Sequence, residues 1–326
     1  MSERRPKLVG IGNALVDVLV NVDDATLERL GLEKGGMELV SQDQIWSIYD
    51  SLGPATESSG GSVANTVAHL AMNGVPCAYV GKVAEDTFGR IFDHDLASLG
   101  VETRLARSSD GTGTGRALVM ITPDGQRTMC TFLGAAVSLN AADVAEQVPA
   151  SCDIILIEGY LWDAPEGAAL IAEAVSRAEA AGAKIAVTLS DAGCVQRHLD
   201  EMRRFVDQHC DILLANEAEA SALARQTDID AALDYVQETV ALAAVTHSER
   251  GSTVLEGDLR ATVAPQQVDK VVDTTGAGDA YAAGFLKRLL EGASPTEFGA
   301  EGGRLAAEVI QHVGARALSE PRAKAS

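Results

Sequence analysis

The chain predicts an α/β fold: a large doubly wound, mostly parallel sheet with helices on both faces, joined by a small sheet of non-contiguous strands. Three observations carry this. Beyond about residue 135, the apolar runs 154–157, 185–187, 212–214 and 242–245 alternate with helical patterns at 166–181, 198–209 and 217–224. Those runs are apolar throughout, as strands buried on both faces must be. Earlier, the β-patterned runs 15–22, 37–40, 117–121 and 127–133 are separated by glycine turns and belong to a second sheet. One domain over 1–326 accommodates all of this, with the small sheet drawn from about 14–58 and 112–135; 46% hydrophobic residues suffice for a sizeable core.

In chain order, the apolar run 8–11 ends in Gly12-Asn13 and reads as a buried parallel strand. Gly10-Ile11-Gly12 is not a dinucleotide fingerprint, because Leu15 stands where the third glycine belongs and no helix opens there. Val16, Val18, Val20 and Val22 alternate with Asp17, Leu19 and Asn21, which predicts a half-exposed antiparallel strand. A short helix at 24–30, a Gly35-Gly36 turn and a strand at 37–40 follow. Ser41 caps a helix over 42–52 that stops at Gly53-Pro54. Ser58-Ser59-Gly60-Gly61-Ser62 feeds a helix carrying Val63, Ala64, Val67, Ala68 and Leu70. Residues 78–80 form a strand and 88–99 a helix. Gly111-Thr112-Gly113-Thr114-Gly115 looks like a phosphate loop but lacks the Gly-Lys-Ser/Thr ending. Residues 117–121 and 127–133, joined by Pro123-Asp124-Gly125, make a β-hairpin. Val271-Val272 is strand-like, a glycine-rich turn follows, and 280–290 is helical. The tail 319–326 reads as frayed.

A net charge of −21 argues against a nucleic-acid partner, so any anion must be bound by local features such as helix ends. Five cysteines (Cys77, Cys130, Cys152, Cys194, Cys210) with no Cys-x-x-Cys pair point to reduced thiols in a cytoplasm. Arg4-Arg5-Pro6-Lys7 ahead of an apolar run imitates a signal peptide, but Gly10, Gly12, Asn13 and Asp17 interrupt that run. No stretch is long and apolar enough for a membrane span.

The chemistry centres on Asp273-Thr274-Thr275-Gly276-Ala277-Gly278-Asp279. Gly276 and Gly278 allow a sharp turn that empties into a helix N-terminus, where free N–H groups bind anions. Asp279 is then either an ordinary first-turn acid or a base beside the anion. Asn216-Glu217-Ala218-Glu219 is either an N-capped acidic helix start or a cation-facing pair of oxygen ligands. Asn65 is a tolerated surface residue or a polar contact, and Arg127 a surface hairpin cation or a group that swings onto a ligand. Asn13, Asn216, Glu219, Thr246 and the Gly276 turn all fall at the carboxyl ends of predicted strands, which predicts one cleft.

The string 273–279 closely resembles the second signature of the ribokinase-like (PfkB) carbohydrate kinase family, and Gly60-Gly61-Ser62 with Asn65 resembles the first. The likeness runs from Gly10 to about Ala315 and leans to the adenosine kinase-like branch in three stretches: 10–17, the helix at 42–52, and Leu133-Gly134-Ala135-Ala136. It implies an ATP- and Mg²⁺-dependent kinase for the 5′-hydroxyl of a purine nucleoside, with a sugar kinase acting on ribose, fructose or 2-keto-3-deoxygluconate as the alternative. It makes Asp279 the catalytic base and Gly276, Ala277 and Gly278 the anion hole. Asn13, Asp17, Gly60, Gly61 and Asn65 hold substrate hydroxyls, and Leu15, Leu39, Leu133, Leu161 and Trp162, with Met37, line the base slot. ATP falls to Asn216, Thr246, Ser248, Gly251, Thr275 and His312, the last either a pocket wall or a surface residue. Glu219 meets Mg²⁺ through water, a monovalent cation such as K⁺ is compatible, and the chain is a monomer or a homodimer. The small sheet becomes a lid. Two positions depart from the family pattern: Ala84 and Ser248 stand where glycine is usual.

Overall fold

The computed structural model describes residues 5–316; the predicted frayed tail 319–326 lies outside them, as does Arg4. Among the described residues the strands are β1 (Leu8–Ile11), β2 (Leu15–Asn21), β3 (Met37–Leu39), β4 (Thr56–Gly60), β5 (Cys77–Ala84), β6 (Glu102–Ser108), β7 (Gly115–Ile121), β8 (Arg127–Phe132), β9 (Ile154–Glu158), β10 (Lys184–Thr188), β11 (Ile212–Asn216), β12 (Leu242–Thr246), β13 (Ser252–Glu256) and β14 (Leu259–Val263). Nine of them form one sheet in the order β14-β13-β12-β11-β10-β9-β1-β5-β6. It is parallel from β12 to β6 and ends in the antiparallel pairs β12–β13 and β13–β14. Side chains alternate between its faces. Ile154 and Leu156 join the core under the helices Ser62–Met72 and Ala277–Leu290, and Ile155 and Ile157 join the core under Gly167–Ala181. That is why these runs had to be apolar at every position.

The other five strands form a small sheet ordered β3-β8-β7-β2-β4. β2 is antiparallel to β4 but parallel to β7, so the antiparallel prediction for it is half right. Its valines 16, 18 and 20 are buried, and Leu15, Asp17 and Leu19 face the other side half-buried. The chain crosses between sheets after β1, after β4, between β6 and β7, and after β8. Asp86 pins the third crossing: its carboxylate accepts from Thr114 N at 2.9 Å, Thr114 Oγ1 at 2.7 Å and Gly89 N at 2.7 Å. Gly134 holds the fourth at φ 55°, where a Cβ would lie 2.3 Å from Gly113 O.

Val271 and Val272 do not form a strand. They are exposed, and the N–H groups of Val272 and Asp273 both donate to Ile310 O at 2.7 and 3.1 Å, so the segment is tied to the end of the helix Pro295–Val309 and joins neither sheet. All five cysteines are free and buried. No helix among the described residues is long and apolar enough to cross a membrane.

Candidate active site

The carboxyl ends of β1, β9, β10, β11 and β12 open into one cavity of about 960 Å³, roofed on one side by the small sheet. Its centre is the N-terminus of the helix Ala277–Leu290. Gly276 caps that helix at φ 75°, and a Cβ there would stand 2.6 Å from Ala315, so glycine is required. Gly278 instead faces open space. The Ala277 N–H is spent on Thr274 O at 3.2 Å, so Ala277 is not a free donor, contrary to the sequence reading. Among the described residues the N–H groups of Gly278 and Asp279 make no hydrogen bond, which leaves two donors pointing at the cavity.

Asp279 is held on both oxygens. Ser62 Oγ donates to Oδ1 at 2.7 Å and Asn65 Nδ2 to Oδ2 at 3.2 Å. Burial raises its pKa to about 6, against these two bonds, and the nearby Asp17 carboxylate pushes the same way. Asp17 is likewise raised by burial to about 6, opposed by the Arg316 charge. Gly60 does not line the cavity; it lets β4 close on Asp17, since a Cβ there would be 2.4 Å from the carboxylate. Gly61 does line it, at φ 99°. Asn13 and Asn65 are each 5% exposed, and the side-chain oxygen of each has no partner. Two buried, unsatisfied acceptors beside a free carboxylate are a costly arrangement without a ligand and a favourable one around hydroxyl donors.

At the other end, Asn216 and Glu219 close a capping box. Glu219 Oε1 accepts from Asn216 Nδ2 at 2.7 Å and Oε2 from Asn216 N at 2.9 Å, while Asn216 Oδ1 accepts from Glu219 N at 2.9 Å. Burial lifts Glu219 to about 7, with Asp191 and Asp279 adding to the rise. Thr246 and Thr275 line the cavity; Ser248, Gly251 and His312 do not. Ser248 and His312 are exposed, and Gly251 at φ 92° is packed on Val263 O and Pro265, which makes it a turn residue.

Leu15, Met37, Leu39 and Leu133, four of the residues assigned to the base slot, line the cavity as an apolar wall. Leu161 and Trp162 do not. They belong to the 3₁₀ turn Gly159–Asp163, in which residues three apart share a side. Tyr160 and Asp163 therefore face the cavity. Leu161 is fully buried, and Trp162 packs edge-on against Phe205 with centroids 5.1 Å apart. Arg127 is no surface cation: its guanidinium pairs with Asp273 and reaches Thr275 Oγ1 at 3.3 Å. Asp273 also accepts from Thr275 N at 2.8 Å and Gly314 N at 2.6 Å, so it organises the turn from within.

Glu158 escaped the sequence reading. It is 1% exposed, lines the cavity, and accepts from Asn13 N at 3.3 Å and Val63 N at 3.1 Å. It thereby ties the end of β1 to the helix that holds Asp279, and burial raises it to about 7. The available signal was a lone carboxylate ending the otherwise apolar run of β9, at the same edge as Asn13 and Asn216. One group of metal-type ligands, Asp163, Cys194 and His198, occurs among the described residues. Asp163 is already committed to Arg197 at 2.6 and 3.1 Å and His198 at 2.7 Å, and the Cys194 thiol donates to Gly159 O.

The model of the pfkB family carbohydrate kinases matches residues 53–322. The adenosine kinase of Schizosaccharomyces pombe is 26% identical over 87% of this chain and 88% of its own. The solved adenosine kinase of Sinorhizobium meliloti is 42% identical, covers 97% of both chains and superposes with a TM-score of 0.87. A probable sugar kinase of Rhizobium etli is 37% identical over 97% of this chain and 96% of its own, with a TM-score of 0.88. The mixed sheet, the second small sheet and these likenesses make the fold ribokinase-like, and the chain belongs to the pfkB family of carbohydrate kinases, on its adenosine kinase-like branch.

Proposed function

We propose that this kinase transfers the γ-phosphoryl group of ATP to the 5′-hydroxyl of a purine nucleoside, adenosine first and inosine or guanosine next. One observation carries the reading. A single cavity brings the unpartnered oxygens of Asn13 and Asn65 and the free Asp17 carboxylate together with Asp279, two free amides and an apolar wall. The polar trio suits ribose hydroxyls. Leu15, Met37, Leu39 and Leu133 suit a flat base, with Tyr160 in the place assigned from sequence to Leu161 and Trp162.

Asp279 takes the hydroxyl proton. Its pKa near 6 leaves it ionised at neutral pH yet basic enough to act, and Ser62 and Asn65 fix the direction of its oxygens. The Gly278 and Asp279 amides hold the transferred phosphoryl oxygens, where charge on that group is best stabilised. Arg127, bound to Asp273, keeps the small sheet against the anion turn. That sheet acts as the lid.

The donor set suits a hard cation. Glu219 and Asp191 face the same cavity, and the Asp191 carboxylate raises the cost of charge on Glu219. Glu219, each of whose oxygens already accepts one bond from Asn216, and Asp191 would hold Mg²⁺ there. An ion held there would supply positive charge against the ATP phosphates. Thr246 and Asn216 border the triphosphate.

The test is an ADP-release assay over adenosine, inosine, guanosine, cytidine, ribose, fructose and 2-keto-3-deoxygluconate. Adenosine is expected to give the highest kcat/KM. Asn13, Asp17 and Asn65 would serve a free sugar equally well. A free sugar that beats every nucleoside by about tenfold or more would therefore replace this reading with the sugar kinase one.

A further inference from the structure

Arg316 does not line the cavity, yet it is buried against the strand that closes on Asp17. It is 7% exposed, and its guanidinium donates to Ser59 O, to Ser59 Oγ at 3.0 Å and to Asp95 Oδ2 at 3.1 Å. The same Asp95 oxygen accepts from Ser59 N and Ser59 Oγ, both at 2.7 Å. Ser59 lies in β4, which pairs with β2 in the register Asp17↔Ser58 and Val16↔Ser59. Two residues beside Arg316 reach the other half of the site. Gly314 N donates to Asp273 Oδ2 at 2.6 Å. Ala315 O accepts from His69 Nε2 at 3.0 Å, on the helix whose Ser62 and Asn65 hold Asp279, and Ala315 packs under Gly276.

We propose that Arg316 is a positioning residue for acceptor binding: from behind β4, its bonds to Ser59 and Asp95 hold that strand and Gly60 at its end against Asp17, so that the Asp17 carboxylate stays aimed at the acceptor's hydroxyls. The proposal rests on the reading of Asp17 as the acceptor contact. Asp17 accepts no hydrogen bond among the described residues, so its placement rests on the β2–β4 pairing and on Gly60 closing against it. Burial favours the neutral acid, and the Asp17 charge in turn raises Asp279 on the helix Ala277–Leu290. Arg316 is the opposing charge, with Asp95 from the helix Thr87–Ser98 on its far side. A neutral Asp17 would lose an acceptor that a vicinal diol needs. The catalytic base is buttressed separately by Ser62 and Asn65. Loss of Arg316 should therefore fall on binding and spare turnover.

Steady-state kinetics at about pH 7 test this, with the preferred acceptor of the substrate panel as the probe. Arg316→Met should raise acceptor KM about tenfold or more, with kcat and the ATP KM within about threefold of the parent. Arg316→Lys, which keeps the charge, should bring acceptor KM back to within about threefold. In an Asp17→Asn background, Arg316→Met should add nothing further. The proposal is overturned if kcat and the ATP KM suffer as much as the acceptor KM, or if the Asp17 and Arg316 effects simply add. If Arg316→Met does not fold, Arg316→Lys decides: acceptor KM near the parent supports the proposal, and a rise of about tenfold overturns it. Asp17→Asn with unchanged acceptor KM would sink the underlying reading of Asp17. A raised KM in Asp17→Asn, with none in Arg316→Met, would sink this proposal alone.

Discussion

Asp279 must be basic enough to take a proton and yet fixed by two donors that weaken its basicity. Burial settles the balance by lifting the pKa to about 6 against Ser62 and Asn65. Asp279→Asn can be accommodated sterically, because the unpartnered Asn65 oxygen can accept the new amide if Asn65 turns over. Turnover should then fall by about 10²–10⁴-fold while equilibrium acceptor binding stays near the parent value. A mutant with near-parental kcat would remove Asp279 from its role. In the parent, the base works ionised, so kcat should decline as pH falls through about 6. Stability should move in the opposite direction. Asp17, Asp279, Glu158 and Glu219 all have folded pKa values above their ordinary ones, so between about pH 4 and 7 these four groups hold more protons in the folded chain than in the unfolded one. Raising the pH through that window costs stability. The melting temperature should be higher at about pH 6 than at about pH 8, and Asp279→Asn should narrow the gap; a parent protein that melts higher at the alkaline end would contradict this. Asp279, Asn65 and Asn216 were legible in sequence because each sits in a string of distinctive neighbours. Glu158 and Arg316 sit in no such string. Their roles come from residues 145 and 257 positions away, to which only the folded chain brings them.

The helix Ala277–Leu290 separates two kinds of glycine. Gly276 is there for the backbone: its φ is 75° and Ala315 fills the space a Cβ would need. Gly278 has open space around it and an unspent N–H, so a methyl there strains nothing but stands where a phosphoryl oxygen would sit. Gly276→Ala should lower the melting temperature. Gly278→Ala should melt with the parent and lose about 10–10²-fold in kcat/KM. A Gly278→Ala enzyme with full activity would argue that the turn holds no anion. Elements of this kind were readable wherever a cap or a period marked them: Ser41 caps the helix Gln42–Ser51 as predicted, and the structure adds Gln44 to close a box with it. β4, β6, β13 and β14 were not. Thr56–Gly60 and Glu102–Ser108 carry too many polar residues for an apolar-run reading, and they are strands because partners in the folded chain take their hydrogen bonds. The 3₁₀ turn Gly159–Asp163 was missed for a related reason. Its short period swaps which residues face inward, and that is how Tyr160 came to replace Trp162 in the wall.

Across the whole molecule, the small sheet meets the large one through four chain crossings, and at its free edge it shows apolar side chains to the cavity. Met37 is 58% and Leu39 67% exposed, both on β3 and both on the cavity wall. Side chains of that size left open on a cavity wall are a cost that an apolar ligand would remove. β3 is also weakly built: three residues long, paired only with β8, and at the sheet edge. The central strands β1, β9, β10 and β11 are buried on both faces. Backbone amides of β3 and β8 should therefore exchange hydrogen faster than those of β9 and β11 in the free enzyme. On saturation with adenosine, β3, β8 and the segment around Leu133 should gain protection as the proposed lid settles on the base, while β9 and β11 change little. Ribose fills the polar trio but leaves the apolar wall bare, so it should protect Asn13 and the start of the helix Ser62–Met72 without protecting β3. Equal protection of β3 by ribose and adenosine would mean that this wall does not read the base. No protection by either would mean that the small sheet does not close over the cavity.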